Sequence, residues 1–211
     1  MKNNIVISIG RQFGSRGRYV GKILADKLGF KFYDWELLNL AAKEIGFDPS
    51  LFEKADEKPG LPQFMQNIGQ LFLGSTPDSD TESYMSSSKM FEIQSEVIKK
   101  VADEGPCVIM GRCSDYVLRD NPNCISVFLT ADMSFRIQCV KERTQLEDEQ
   151  KIKKLIEHTD KKRNEYYNFY TGKEWGHSFS YDLCLDVSKI GVEATVEFIE
   201  KYLNAYTSNQ K

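Results

Sequence analysis

Histidine and tryptophan are scarce, with two of each in 211 residues, and neither histidine has the serine or cysteine arrangement that would suggest a nucleophilic triad. The five cysteines (Cys107, Cys113, Cys124, Cys139 and Cys184) are odd in number, form no C-x-x-C pair and do not group with His158 or His177. That argues against zinc and against a disulfide framework, and it leads us to expect reduced thiols in a cytoplasm. No apolar run reaches the length of a membrane span, and Met1-Lys-Asn-Asn leads straight into an apolar run, so neither a spanning helix nor a signal peptide is expected. Basic residues are not in excess: 28 Lys and Arg stand against 31 Asp and Glu, for a formal net charge of -3. A dedicated nucleic-acid binder is disfavoured on that balance. A hydrophobic content of 41% with 12% aromatics is ample for one globular domain.

The chain is organised around its first stretch. Ile5, Val6, Ile7 and Ile9 read as a buried strand; glycines at 10, 14 and 17 follow, and then Val20, Ile23, Leu24 and Leu28 recur at helical spacing. Strand, glycine-rich loop and helix together aim backbone N–H groups and a helix N-terminus at one anion. A phosphate loop of the Walker type reads G-x-x-x-x-G-K-[ST], and no register of this chain fits it. The loop carries Arg11, Arg16 and Arg18 instead. Three guanidinium groups this close repel one another unless an anion joins them, and guanidinium binds phosphate bidentately. The reading is a phosphate loop in which an arginine takes the lysine's part; a glycine turn that merely packs tightly is the alternative.

Further along, Gly29 reads as the C-cap of the first helix, Phe30–Asp34 as a second strand, and Trp35–Ile45 as a helix closed by Gly46. Phe47 to about Ser88, rich in proline, glycine and serine, reads as a partly helical excursion with Ser75–Ser88 as a flexible loop. Lys89–Glu104 is expected to be helical, Pro106–Gly111 and Cys124–Thr130 to be strands, Ser134–Tyr170 to be helical with a break near Leu146–Glu149, and Tyr181–Val187 to be the fifth strand. Ile190–Tyr202 closes the chain as a helix, with Ser188 as its N-cap. No repeat is visible. Short apolar strands alternating with helices predict an α/β fold, a parallel sheet of five strands with helices on both faces. Ligands in such sheets sit at the C-terminal ends of strands, which here hold the glycine loop, Asp34 and Gly111-Arg112. Arg112 follows a short buried strand and is expected to point into the crevice, a surface ion pair with Asp115 being the alternative. Asp160–Tyr167, with Lys173 and the aromatic Tyr166, Tyr167, Phe169, Tyr170 and Trp175, could close over a polyphosphate as a lid or could form a solvated face. Trp175 is expected to anchor that segment.

These residues resemble a known family. Val108–Val117 with its Gly111-Arg112, and Val127–Ala131 opening a helix with Arg136, are similar to the bacterial cytidylate kinases. Ile7–Arg18, Phe32–Asp34 and Tyr166–Trp175 are closer to the divergent branch called cytidylate kinase-like proteins, and the resemblance runs from about Ile5 to Ile199. It implies a three-layer P-loop kinase fold in one domain: a core of 1–34, 101–139 and 179–211, an inserted acceptor-binding region at 35–100, and a lid at 140–178. It implies ATP and Mg²⁺ as cofactors, with Arg11, Gly14, Ser15, Arg16, Gly17, Arg18 and Tyr19 around the donor phosphates. Asp34, Arg112, Asp115 and Arg136 would serve the acceptor, a (d)CMP-like nucleotide or other phosphorylated small molecule, and Arg18, Arg112 and Arg163 would carry the catalysis, Arg163 and Arg136 being lid arginines. In the family register Gly17 and Arg18 fill the lysine and Ser/Thr places, Arg16 replaces a glycine, and Cys113 replaces the aspartate of Gly-Arg-Asp. These departures leave the magnesium ligands open. They also keep two rivals in play: a nucleotide-binding regulatory protein on the same scaffold, and a phosphotransferase with a non-nucleotide acceptor. A homo-oligomer remains possible, since the long helical region could serve a subunit contact as well as a lid.

Overall fold

The computed structural model describes residues 4–34 and 80–209, so the expected helix over Trp35–Ile45 and most of the excursion after it lie outside the described residues. Five strands form one sheet: β1 (Val6–Arg11), β2 (Lys31–Tyr33), β3 (Cys107–Met110), β4 (Cys124–Thr130) and β5 (Leu183–Asp186). The order is β2-β3-β1-β4-β5 and every pairing is parallel, with Val6 level with both Cys107 and Cys124. Parallel strands need crossovers, and the crossovers place helices on both faces.

The side chains of β1 alternate accordingly. Ile7 and Ile9 pack with Val20 and Leu24 of α1 (Gly17–Leu28) and with Val196 and Ile199 of the C-terminal helix. Val6 packs on the other face against Val97, Ile98 and Val101 of α2 (Asp80–Glu104). Ser8 is buried on that face, and its hydroxyl is satisfied by Ser114 Oγ at 2.6 Å, from the short α3 (Ser114–Val117). Both faces are covered, which is why the strands read as continuous apolar runs. No described helix is long and apolar enough to cross a membrane.

Two expectations are corrected and one is met. Helix α2 starts at Asp80, so the serine-rich stretch up to Ser88 is helical from that point on and not a flexible loop. Its composition suits a loop, but a helix already packed through Ile93, Val97 and Ile98 extends cheaply in the N-terminal direction. The charged stretch forms two helices, α4 (Met133–Thr144) and α5 (Glu149–Thr171), and Asp148 caps the second by accepting from the N–H groups of Gln150 and Lys151. The break therefore lies where it was expected. The closing helix α6 (Val187–Asn209) begins directly after β5, with a kink at Gly191. Ser188 lies inside it, and Asp186 takes the capping part instead, accepting from the N–H of Ser188 at 2.9 Å.

Candidate active site

The turn from β1 into α1 is held open by its backbone. Gly14 has φ 83°, and a Cβ there would stand 2.8 Å from the Arg136 carbonyl oxygen. Arg16, at the N-cap position of α1, adopts φ 59°, the left-handed region that glycine occupies without cost. A glycine would occupy this position without that strain. Arg16 is retained by an ion pair, Nη2 to Glu142 Oε2 at 2.9 Å, and by donation from Nε to Cys139 Sγ at 3.2 Å. Both partners lie on α4. Left-handed strain on a side-chain-bearing residue costs about 1–2 kcal/mol, and an exposed ion pair returns at most about 1 kcal/mol. Arg16→Gly is therefore expected to leave stability unchanged or raise it by up to about 2 kcal/mol, measured by denaturant unfolding.

Phe13 is the loop's anchor. Its N–H donates to Asp160 Oδ1 at 2.7 Å and its carbonyl accepts from Arg136 Nε at 2.8 Å, while Arg136 Nη2 pairs with the other oxygen of Asp160. Its ring packs against Val140, Ile152 and Ile156. One residue thus ties the loop to both α4 and α5. The guanidinium groups of Arg143 and Arg163 lie over the same ring, 4.8 and 5.6 Å from its centroid. Arg163 Nη1 also donates to the Arg11 carbonyl at 3.0 Å.

These elements enclose a cleft of about 540 Å³ at the N-terminus of α1. Arg11, Arg16, Arg18, Lys22, Arg143 and Arg163 line it, and Glu142 is the one carboxylate among its described lining residues. Burial and the neighbouring Arg163 and Arg112 guanidiniums hold the pKa of Arg11 well below its ordinary value, although Asp34 pulls the other way. Burial, reinforced by Arg112, Arg143 and Arg136 against the pull of Asp160, pushes Arg163 down to about 10. Positive groups held this close and this dry are in an environment that an anion would relieve.

The acceptor-side residues take individual positions. Asp34, buried at the end of β2, accepts from Arg18 through both Nε at 2.7 Å and Nη2 at 2.5 Å. Gly111, Arg112 and Cys113 are three successive left-handed residues, with φ 70°, 57° and 54°. A Cβ on Gly111 would collide with Arg11 Nη1, so this glycine makes room for the Arg11 guanidinium. Tyr166 hydrogen-bonds to Arg112 and donates its hydroxyl to Gln94 Oε1 at 3.2 Å. Asp115 accepts from the Tyr167 hydroxyl at 2.7 Å, and its burial raises its pKa. Trp175 does anchor its segment, meeting Phe128 edge-on at 5.1 Å between centroids.

The sequence-predicted loop residues, together with Arg163, therefore meet at one cleft, and Arg112 lies within electrostatic reach of Arg11 and Arg163. Arg136 lies outside the cleft lining: it is 5% exposed and holds Phe13. Sequence reasoning missed Arg143, Phe13 and the role of Asp160. Arg143 is two helical turns beyond Arg136, and that spacing was the available signal.

The profile of the cytidylate kinase-like family matches residues 6–189. The chain belongs to that family. Among solved structures, this cytidylate kinase-like chain is similar to an uncharacterised protein from Eubacterium ventriosum, with 31% identity, a TM-score of 0.70, and coverage of 95% of this chain and 98% of that one. It also superimposes on a shikimate kinase from Bacteroides thetaiotaomicron, at 14% identity, TM-score 0.54, and 95% and 98% coverage. A gluconokinase from Sinorhizobium meliloti gives 17% identity, TM-score 0.54, and 100% and 97% coverage. At such identities the last two show the fold alone, that of P-loop kinases. No curated protein matches the chain by sequence.

The cleft's chemistry suits a polyphosphate, since its cations are N–H donors grouped at a helix N-terminus. Its described lining offers magnesium one carboxylate, Glu142, which is paired with Arg16. Among the described residues no three His, Cys, Asp or Glu side chains converge. The loop hydroxyl of Ser15 is 1% exposed and donates to the Gln12 carbonyl at 2.9 Å.

Proposed function

We propose that this protein is a phosphotransferase that moves the γ-phosphoryl group of ATP to the monophosphate of a (d)CMP-like acceptor. The observation that carries this reading is the ring of cations around the loop and the N-terminus of α1, with Arg112 at the neighbouring strand end. ATP supplies the phosphoryl group: an acceptor phosphate oxygen bonds to Pγ, the bond from Pγ to the bridging β-oxygen breaks, and ADP leaves. The protein's part is positioning and charge neutralisation. Arg11, Gly14, Ser15, Gly17 and Tyr19 surround the donor phosphates, and Arg16 and Arg18 supply charge in the place of the usual lysine. Arg163 and Arg143 face the transferring group from α5 and α4. Arg112, steadied by Tyr166, holds the acceptor phosphate, with Asp34 and Asp115 on the acceptor side. In this reading residues 35–100 receive the acceptor and 140–178 form the lid, which Phe13 ties to the loop.

Incubation of ATP and magnesium with a panel of nucleoside monophosphates is expected to give a nucleoside diphosphate, with CMP or dCMP best. Arg18→Ala is expected to abolish turnover. ATP binding without product from any acceptor would overturn the kinase reading. It would leave a regulatory nucleotide-binding module, which the engagement of Arg16 by Glu142 and of Arg18 by Asp34 favours as the second reading. Under either reading the cleft's repulsion is relieved by polyanions. ATP at a hundredfold excess over its Kd is expected to stabilise the fold by about 2.7 kcal/mol, a rise in Tm of roughly 5–10 °C by calorimetry.

A further inference from the structure

The geometry points to a donor site that binds its polyphosphate without a divalent cation, guanidinium groups standing where a P-loop kinase places magnesium and its hydroxyl ligand. The inference rests on the phosphotransferase reading and concerns the form in which the donor is bound.

In a P-loop the residue after the lysine is Ser or Thr, and its hydroxyl ligates the metal that bridges the donor oxygens. Here that place in the family register holds Arg18, whose guanidinium is bonded to buried Asp34 at the end of β2. The substitution does more than remove a ligand, because it brings a guanidinium, paired with Asp34, into the cleft lining. The loop's own hydroxyl does not compensate, since Ser15 Oγ is buried and donates to the Gln12 carbonyl. The metal's task on the donor is charge neutralisation, which guanidinium groups also perform while donating N–H bonds to the same oxygens. Arg11 and Arg163 are placed for it, joined through the Arg163 bond to the Arg11 carbonyl, and Arg143 shares the Phe13 ring with Arg163. Burial and mutual repulsion already disfavour the protonated forms of Arg11 and Arg163, so a further cation there would be repelled and a polyanion drawn in. Magnesium removes two negative charges from ATP. The form with the fuller charge therefore fits this cleft at least as well.

The test is calorimetric titration of the full chain with ATP, once in excess EDTA and once in excess magnesium chloride, repeated with Arg18→Ser. The Arg18 side chain is 69% exposed, so its replacement leaves no cavity, and thermal unfolding of the variant reads the cost of taking this partner from buried Asp34. For the wild type, affinity in EDTA is expected to be tighter than with magnesium or within about threefold of it. Arg18→Ser, which restores a hydroxyl and removes the charge, is expected to shift the preference toward magnesium by about tenfold or more. Wild-type binding weakened more than about tenfold by EDTA overturns the inference, and leaves the phosphotransferase reading standing if product still forms with magnesium. Arg18→Ser that stays indifferent to magnesium overturns the assignment of Arg18 to the metal's place. Absence of ATP binding in both buffers overturns this inference and the phosphotransferase reading together.

Discussion

Replacing Arg163 with alanine is expected to lower phosphoryl transfer by about 10²–10³-fold, the usual cost of losing one preorganised donor to developing charge. Two interactions hold Arg163 at the cleft, the N–H bond to the Arg11 carbonyl at 3.0 Å and the cation–π contact with the Phe13 ring. The loss should fall mainly on kcat, because the interaction strengthens as charge moves onto the transferring group. Folding should lose at most about 2–4 kcal/mol, for one charge-assisted hydrogen bond and a cation–π contact. Arg163→Lys keeps the charge but loses the planar fork, so it should recover part of the activity and not all of it. A folded alanine variant with unchanged kcat would remove Arg163 from the mechanism.

The second large effect concerns stability. Asp160→Ala deletes both acceptors at the loop's anchor, leaving the buried guanidinium of Arg136 without its carboxylate and the Phe13 N–H without a partner. Breaking a buried pair by removing one member costs about 3–5 kcal/mol. For a chain of this size that corresponds to a fall in Tm of roughly 6–20 °C. Adding Arg136→Met should restore part of the loss, because no uncompensated charge then remains in the interior. Thermal and urea unfolding of the two variants distinguish these outcomes, and an Asp160→Ala variant within about 1 kcal/mol of wild type would show the pair to be dispensable. The same variants report on function, since the Phe13 anchor sets the loop's position beneath α4 and α5.

Much of the fold was legible because strands buried on both faces announce themselves. Cys124–Thr130 matches β4 residue for residue, and the apolar runs of β1, β3 and β5 each lie within one or two residues of the observed bounds. The glycine at 29 closes α1 with φ 69°, as a C-cap does. The end of the serine-rich stretch was misread because polar composition is equally compatible with a solvated helix, and only the packing of α2 on the sheet decides between them.

The chain's local chemistry by itself determined the parallel α/β sheet, the strand–loop–helix turn, and the presence of Arg11, Arg16 and Arg18 at one strand end, which is enough to anticipate an anion. The tertiary structure alone decided which of the distant arginines joins them. Arg136 and Arg143 lie seven residues apart on one face of α4, and nothing in their spacing separates them. The Phe13 ring and the Asp160 carboxylate, brought in from β1's loop and from α5, bury Arg136 as an anchor and leave Arg143 at the cleft. Helical periodicity gives the face a side chain occupies. How deep that side chain lies is set by what packs against the face, and those contacts come from residues far away in sequence.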